Sequence, residues 1–251
     1  MKWFLALLVC ILPPSAHAWE MDGTELLGSL PGGAAVRRVA LSEAGVSARL
    51  TAVAFSSKAY TLRVVDSLAP GRTKLASAMA AAGCVAGVNA SYFHEDFRPL
   101  GLVVADGKEL QPFEKAKLLA GVLAVRGNRL EIVRSPKFSR PSDLRQAIQC
   151  GPMLVEAGEP TVGLNDSATA RRTVVATDGR GQWALIYLTS VTLADAARIL
   201  TVPDVLGDWM PATALNLDGG SSSGLWAACS PTPVSLPEFG HVRNYLGLVP
   251  R

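Results

Sequence analysis

The chain has 251 residues, of which 49% are apolar, 18% charged and 6% aromatic, with four cysteines and a formal net charge of +3. It is too apolar for a disordered tail, too poor in cysteine for a disulfide scaffold, and lacks the glycine period of collagen. Its 17 arginines and seven lysines are scattered without any block of like charge, so neither nucleic acid nor an anionic membrane is the natural partner.

Residues 3–12 form an uninterrupted apolar run after Lys2. The run is about half the roughly twenty residues needed to cross a bilayer core. Pro13, Pro14 and Ser15 follow, then Ala16, His17 and Ala18. This is the pattern of a secretory signal peptide over residues 1–18, cut near Ala18. The expectation is an exported protein, periplasmic or secreted, with no membrane span. Cys10 lies within the apolar run and lacks the placement of a lipoprotein cleavage site. The mature chain keeps Cys84, Cys150 and Cys229, an odd number that permits one bridge and one thiol, or three thiols.

Residues 19–35 are glycine-rich and read as a loose lead-in to a single domain over residues 36–251. Residues 47–55 and 60–66 have the β-branched content and turn boundaries of strands. The alanine-rich stretch 73–82 stops at Gly83 and predicts a short helix. Residues 85–89 and 100–104 read as strands, the latter turning at Asp106-Gly107, and 121–133 as a hairpin turning at Gly127-Asn128. A helical turn is expected over 143–148 and a strand over 152–155. Residues 173–176 and 183–188 flank the hairpin signal Asp178-Gly179. Thr192 with Asp195 three residues on is a capping-box pattern opening a helix to about Leu200. Strands over 214–217 and 242–249 complete an α+β fold, a single domain with a largely antiparallel mixed sheet and a few short helices.

Four segments carry chemistry. In the first, an apolar strand delivers Asn216 and Asp218 to one face, since alternate side chains of a strand share a face. Gly219 and Gly220 then permit a sharp turn, and successive N–H groups near Ser221 suit an anion. In the second, Asn89, Tyr92 and His94 follow the apolar residues 85–88; aromatic rings suit the apolar face of a sugar, and amides suit its hydroxyls. The third places Gln149 before a forced turn at Gly151-Pro152. The fourth is Arg171-Arg172 at the start of a strand, where adjacent side chains face opposite ways and Arg172 can enter a site as a fork for phosphate. A serine-nucleophile reading of Ser221 lacks a GxSxG elbow. Neither zinc spacing nor an EF-hand loop occurs, so no metal or other cofactor is expected, with a structural calcium held by backbone carbonyls left open.

Taken in order, and with the closing Asn244-Tyr245-Leu246-Gly247-Leu248, these segments resemble the phosphodiester glycosidase family, which includes the lysosomal enzyme that uncovers mannose 6-phosphate and many exported bacterial relatives. The resemblance is strongest over residues 85–250, and its most specific element is Asn216-Leu217-Asp218-Gly219-Gly220-Ser221-Ser222-Ser223. Two departures stand out. The family's two glycines after the asparagine are Ala90 and Ser91 here, and its common third glycine after the aspartate is Ser221.

The resemblance implies a pocket formed by Asn89, Gln149, Arg172, Asp218, Gly219, Gly220 and Asn244. It implies hydrolysis of a sugar-1-phosphodiester in a glycan, wall polymer or exopolysaccharide. Asp218, Arg172 and His94 are the expected catalytic residues. Asn89, Tyr92, Gln149, Asn216, Gly219, Gly220, Ser221 and Asn244 are the expected substrate contacts. The alternative is a non-catalytic polysaccharide-binding or exopolysaccharide assembly protein that retains the pocket. The partner in either case is a carbohydrate phosphodiester; sequence does not fix the oligomeric state.

Overall fold

The computed structural model describes residues 18–67 and 73–251. The expected signal peptide, save Ala18, lies outside these residues. Strands dominate at 48%, against two short α-helices. In chain order they are β1 (Glu20–Ser29), β2 (Ala35–Glu43), β3 (Val46–Ser56), β4 (Tyr60–Asp66), α1 (Leu75–Ala81), β5 (Ala86–Asn89), β6 (Val103–Ala105), β7 (Lys108–Gln111), β8 (Gly121–Arg126) and β9 (Arg129–Arg134). There follow β10 (Leu144–Cys150), β11 (Met153–Glu156), β12 (Glu159–Pro160), β13 (Ala170–Thr177), β14 (Gln182–Val191), α2 (Leu193–Leu200), β15 (Thr213–Asn216), β16 (Leu225–Ala227), β17 (Val234–Leu236) and β18 (Asn244–Pro250).

The strands form three sheets rather than one. The largest runs β1-β2-β3-β14-β13-β15-β11-β12; the others run β7-β6-β10-β8-β9 and β17-β16-β5-β18-β4. The strand pairings among the described residues are antiparallel throughout. The period-2 pattern explains the layering. In β13 and β14, Val175 and Leu185 enter the central core shared with Val88 of β5 and Ile148 of β10. Their neighbours Val174, Ala176, Ala184 and Ile186 enter a second core beneath α2. The centre of the large sheet is therefore buried on both faces, while its edge strand β1 is largely exposed, and α2 is held at its start by the Thr192–Asp195 capping box.

Two expectations are corrected here. Residues 20–29 are not a loose lead-in: they form β1, paired along β2, because the glycines fall at register shifts near Gly23 and Gly28 that leave the ladder intact on either side. Residues 144–150 form strand β10 rather than a helical turn. Helix-favouring Leu144, Arg145, Gln146 and Ala147 are overridden by pairing with β8, which buries the strand on both faces. No described helix is long and apolar enough to cross a membrane.

Candidate active site

β15 ends where three backbones meet. Leu217 N–H donates to Thr173 of β13 at 2.8 Å, and Asp218 N–H donates to Ala90, just after β5, at 2.9 Å. This fixes Asp218 at the junction between two sheets. The two glycines that follow are required for different reasons. A Cβ on Gly219 would come within 3.0 Å of the Arg171 carbonyl oxygen, while Gly220 has φ +64° in open space. The Asp218 carboxylate accepts from Gly219 N–H at 2.8 Å. Burial nevertheless raises its pKa from the ordinary 3.8 to about 6, with the neighbouring Ser222 hydroxyl and the Gly219 N–H opposing the rise.

Asn89 locks this turn from below. Its Nδ2 donates to the Asp218 carbonyl at 2.6 Å, and its Oδ1 accepts from Thr173 Oγ1 at 2.6 Å and from Gly224 N–H at 3.1 Å. Asn244 does the same for the segment after β5, accepting from Ser91 N–H at 2.9 Å and donating to Ser91 Oγ at 2.7 Å. Both asparagines are fully buried, with their amides committed to protein partners. Ala90 and Ser91, which stand where the family has glycines, are likewise buried, and neither has positive φ. An L side chain is therefore accommodated at both positions without backbone strain.

Tyr92 stands beside Asp218. Its hydroxyl donates to the Gly151 carbonyl at 2.6 Å and accepts from Asn216 Nδ2 at 3.1 Å. Burial and the nearby Cys150 and Asp218 push the phenol well above its ordinary range, so it is neutral. Asn216 Nδ2 also reaches the Gly151 carbonyl at 2.9 Å. Cys150 is buried close enough to sense the Asp218 charge, and burial keeps it a thiol. Cys84, Cys150 and Cys229 are three free, buried cysteines.

Arg172 supplies the positive charge. Its Nε donates to the Val191 carbonyl at 3.0 Å and its Nη2 to the Ala168 carbonyl at 2.7 Å. These two anchors direct the remaining edge toward the turn, with Nη1 4.0 Å from the Cβ position of Gly219. It forms no ion pair with a carboxylate among the described residues. Partial burial lowers its pKa. Arg171 faces elsewhere, its guanidinium carbon 4.0 Å from the centroid of the exposed Phe239 ring. Phe239 in turn is held to the active-site turn by its N–H, which donates to Ser221 at 2.8 Å.

The remaining expected residues are spread more widely. Ser221 is exposed at the rim. His94 sits in the turn that returns through Arg98, its N–H donating to the Arg98 carbonyl at 2.9 Å. No hydrogen bond joins its imidazole to Asp218 among the described residues. Gln149 is fully buried and its amide is spent on the residue before β6 and on the loop between β7 and β8: Oε1 accepts from Leu102 N–H at 2.9 Å and Glu114 N–H at 3.1 Å, and Nε2 donates to the Glu114 carbonyl at 2.8 Å. Local sequence does not single out Ser222, whose hydroxyl helps lower the Asp218 pKa, Thr173, which orients Asn89, or Phe239. Ser222 is marked only as part of the serine run after the glycines; nothing local marks Phe239. No cluster of three or more potential metal-ligating side chains occurs among the described residues.

A partly buried carboxylate, followed by a two-glycine turn with the half-buried Arg172 against it, lies where the ends of two antiparallel sheets meet in a β-rich protein. Residues 82–249 match the phosphodiester glycosidase family. The match spans two thirds of the chain, and the chain belongs to that family. Its fold is similar to that of a hypothetical protein from Synechocystis, with TM-score 0.63 and 16% identity, covering 87% of this chain and 62% of that one. It is also similar to the zebrafish N-acetylglucosamine-1-phosphodiester alpha-N-acetylglucosaminidase catalytic domain, solved as auto-inhibited by its pro-peptide, with TM-score 0.57, 16% identity and coverage of 95% and 86%. A putative exported protein from Burkholderia pseudomallei gives TM-score 0.52 at 14% identity, with coverage of 89% and 76%. No curated protein matches the chain.

Proposed function

We propose that the chain is an exported glycosidase that hydrolyses a sugar-1-phosphodiester of a glycan, wall polymer or exopolysaccharide. The observation that carries this reading is Arg172: a half-buried cation, anchored by two carbonyls and without a carboxylate partner among the described residues, beside the Asp218 turn. Such a cation is stabilised by an anion that enters with the substrate. Among the described residues the N–H groups of Gly220 and Ser221 have no hydrogen-bond acceptor, whereas those of Ser222 and Ser223 donate to the carbonyls of Gly219 and Gly220.

In the proposed reaction the bond from the anomeric carbon to oxygen breaks, and the phosphate leaves as a monoester with the electron pair. Water adds to the anomeric carbon and loses a proton. Arg172 stabilises charge gathering on the phosphate. Asp218, ionised at neutral pH, stabilises the cationic ring carbon or accepts the proton from water. Phosphate is a good leaving group, so a second carboxylic acid to protonate it is unnecessary. Asn89, Asn244 and Tyr92 act as positioning residues.

The test is sugar release from a panel of short-alkyl diesters of sugar 1-phosphates, run in heavy-oxygen water. Label in the sugar supports the glycosidase. Label in the phosphate, or an absence of turnover across the panel, defeats it.

A further inference from the structure

Away from the Asp218 turn, a cavity of about 550 Å³ lies between the β7–β8 loop and the residues after β9. Phe113, Lys115, Lys117, Leu119, Pro136 and Phe138 line it. Its volume is that of a site for a ligand of one to a few rings.

The cavity and the Asp218 site share one structural support. Gln149 pins the β7–β8 loop through Glu114. Two residues on, Gly151 packs so tightly against the same loop that a Cβ would collide with the Leu118 carbonyl oxygen and lie 2.8 Å from Ala120 N. The Gly151 carbonyl is also the acceptor for Tyr92 and Asn216 beside Asp218. Residues 149–151 thus brace the loop that walls the cavity on one side and the Tyr92 and Asn216 groups beside Asp218 on the other. The lining has two kinds of chemistry. Phe113 and Phe138 lie nearly parallel, with centroids 6.1 Å apart and planes at 11°, and Phe113 is 36% exposed. Lys115 and Lys117 are exposed and form no ion pair among the described residues, whereas Arg134 is matched by Glu156. The two lysines outnumber the one lining acid, Glu114.

We propose that this cavity is a subsite for an anionic saccharide unit of the substrate, on the far side of the phosphodiester from the sugar that is released. The aromatic faces take the apolar face of a sugar ring, and the lysines take its carboxylate or phosphate. The assignment to the substrate's far side rests on the glycosidase reading; binding of an anionic saccharide does not.

The experiment titrates the purified protein calorimetrically with tetragalacturonate and with neutral cellotetraose, at low and high salt. Tetragalacturonate binds more tightly, and salt weakens that preference. Phe113→Ala and the double variant Lys115→Gln/Lys117→Gln each weaken its binding about fivefold or more, close to 1 kcal/mol. Both variants retain the wild-type melting temperature and the wild-type turnover of a short-alkyl sugar-1-phosphate diester, which has no saccharide to place in the cavity. Asp218→Asn removes that turnover and leaves tetragalacturonate binding unchanged. Equal affinity for the two tetrasaccharides, or cavity variants that bind like wild type, overturns the proposal. Binding as expected with no turnover of the alkyl diester defeats the hydrolase reading and leaves the saccharide site standing.

Discussion

The Asn89 side-chain amide donates to the main-chain carbonyl of Asp218 at 2.6 Å, joining the ends of β5 and β15 across two sheets. The same amide oxygen is shared by Thr173 and Gly224 N–H. Asn89→Ala leaves three polar groups without a partner, in a position where water has no access. An unsatisfied buried group costs about 1–3 kcal/mol, and partial relaxation keeps the sum near about 3 kcal/mol. Denaturant unfolding is expected to show that loss, together with reduced turnover because the Asp218 turn loosens. An unchanged unfolding midpoint would remove Asn89 from its positioning role.

Asp218 ties activity and stability to pH in opposite directions. Its carboxylate titrates at about 6 in the folded protein against an ordinary 3.8, so between these values the native state holds a proton that the unfolded chain has released. The stability contributed by this group therefore falls as pH rises from about 4 to 6, by at most about 3 kcal/mol. Catalysis needs the ionised form and is expected to rise through pH 6. Asp218→Asn should abolish turnover, melt higher than wild type above pH 6, and lose that advantage below pH 4. Parallel melting curves over the whole range would contradict the burial argument.

Arg172 is held by carbonyls on two sides, an arrangement that a lysine cannot copy because one ammonium cannot satisfy both anchors and still present a free edge. Arg172→Ala is expected to lower kcat/KM on sugar-1-phosphate diesters about 100-fold, near 2.7 kcal/mol of transition-state stabilisation. Arg172→Lys should recover little of it. Arg172→Ala should not lower thermal stability much, because a desolvated cation without a carboxylate partner among the described residues is removed. Steady-state kinetics beside a melting curve separates the two effects.

The parts of this protein that sequence made readable were those governed by local physics. The capping box at Thr192, the hairpin turns at Gly127 and Gly179, and the alternating β13–β14 pair are each set by residues within a few positions. The Asp218 turn belongs with them, since two glycines after an apolar strand announce a sharp reversal. β10 is the exception: residues 144–147 favour a helix locally, while Gln146 is used to bond Val64 of β4 and Asp106, both distant along the chain. The same non-local bonding hid the difference between Asn89, which is consumed inside the fold, and Asp218, which faces the pocket. Both end apolar strands, and only the partners across the sheets distinguish them. Phe239 reaches the rim through a bond to Ser221 that no sequence pattern encodes.

Cys84, Cys150 and Cys229 are buried and unpaired, and burial pushes the Cys84 and Cys150 thiols upward, away from reactive thiolate. Protein produced without residues 1–18 should be inert to a thiol-specific chromogenic reagent when native, and should react at all three when unfolded. A native bridge would appear as fewer thiols after unfolding without reductant.

Restoring the family's glycines tests whether Ala90 and Ser91 are impediments or part of the construction. Ser91 has no positive φ and no backbone demand for glycine. Its hydroxyl both accepts from Asn244 Nδ2 at 2.7 Å and lies 3.1 Å from Asn244 Oδ1, to which it donates. Ser91→Gly removes that pair and strands a buried amide, at a cost of about 1–3 kcal/mol, while the added freedom of the unfolded chain lowers stability further. Ala90→Gly loses only a buried methyl and chain stiffness, a cost of about 1–2 kcal/mol. Both variants are therefore expected to melt below wild type, Ser91→Gly the lower, with no gain in turnover. A double variant that is as stable as wild type and faster on sugar-1-phosphate diesters would mean instead that the side chains at these positions restrain the catalytic turn.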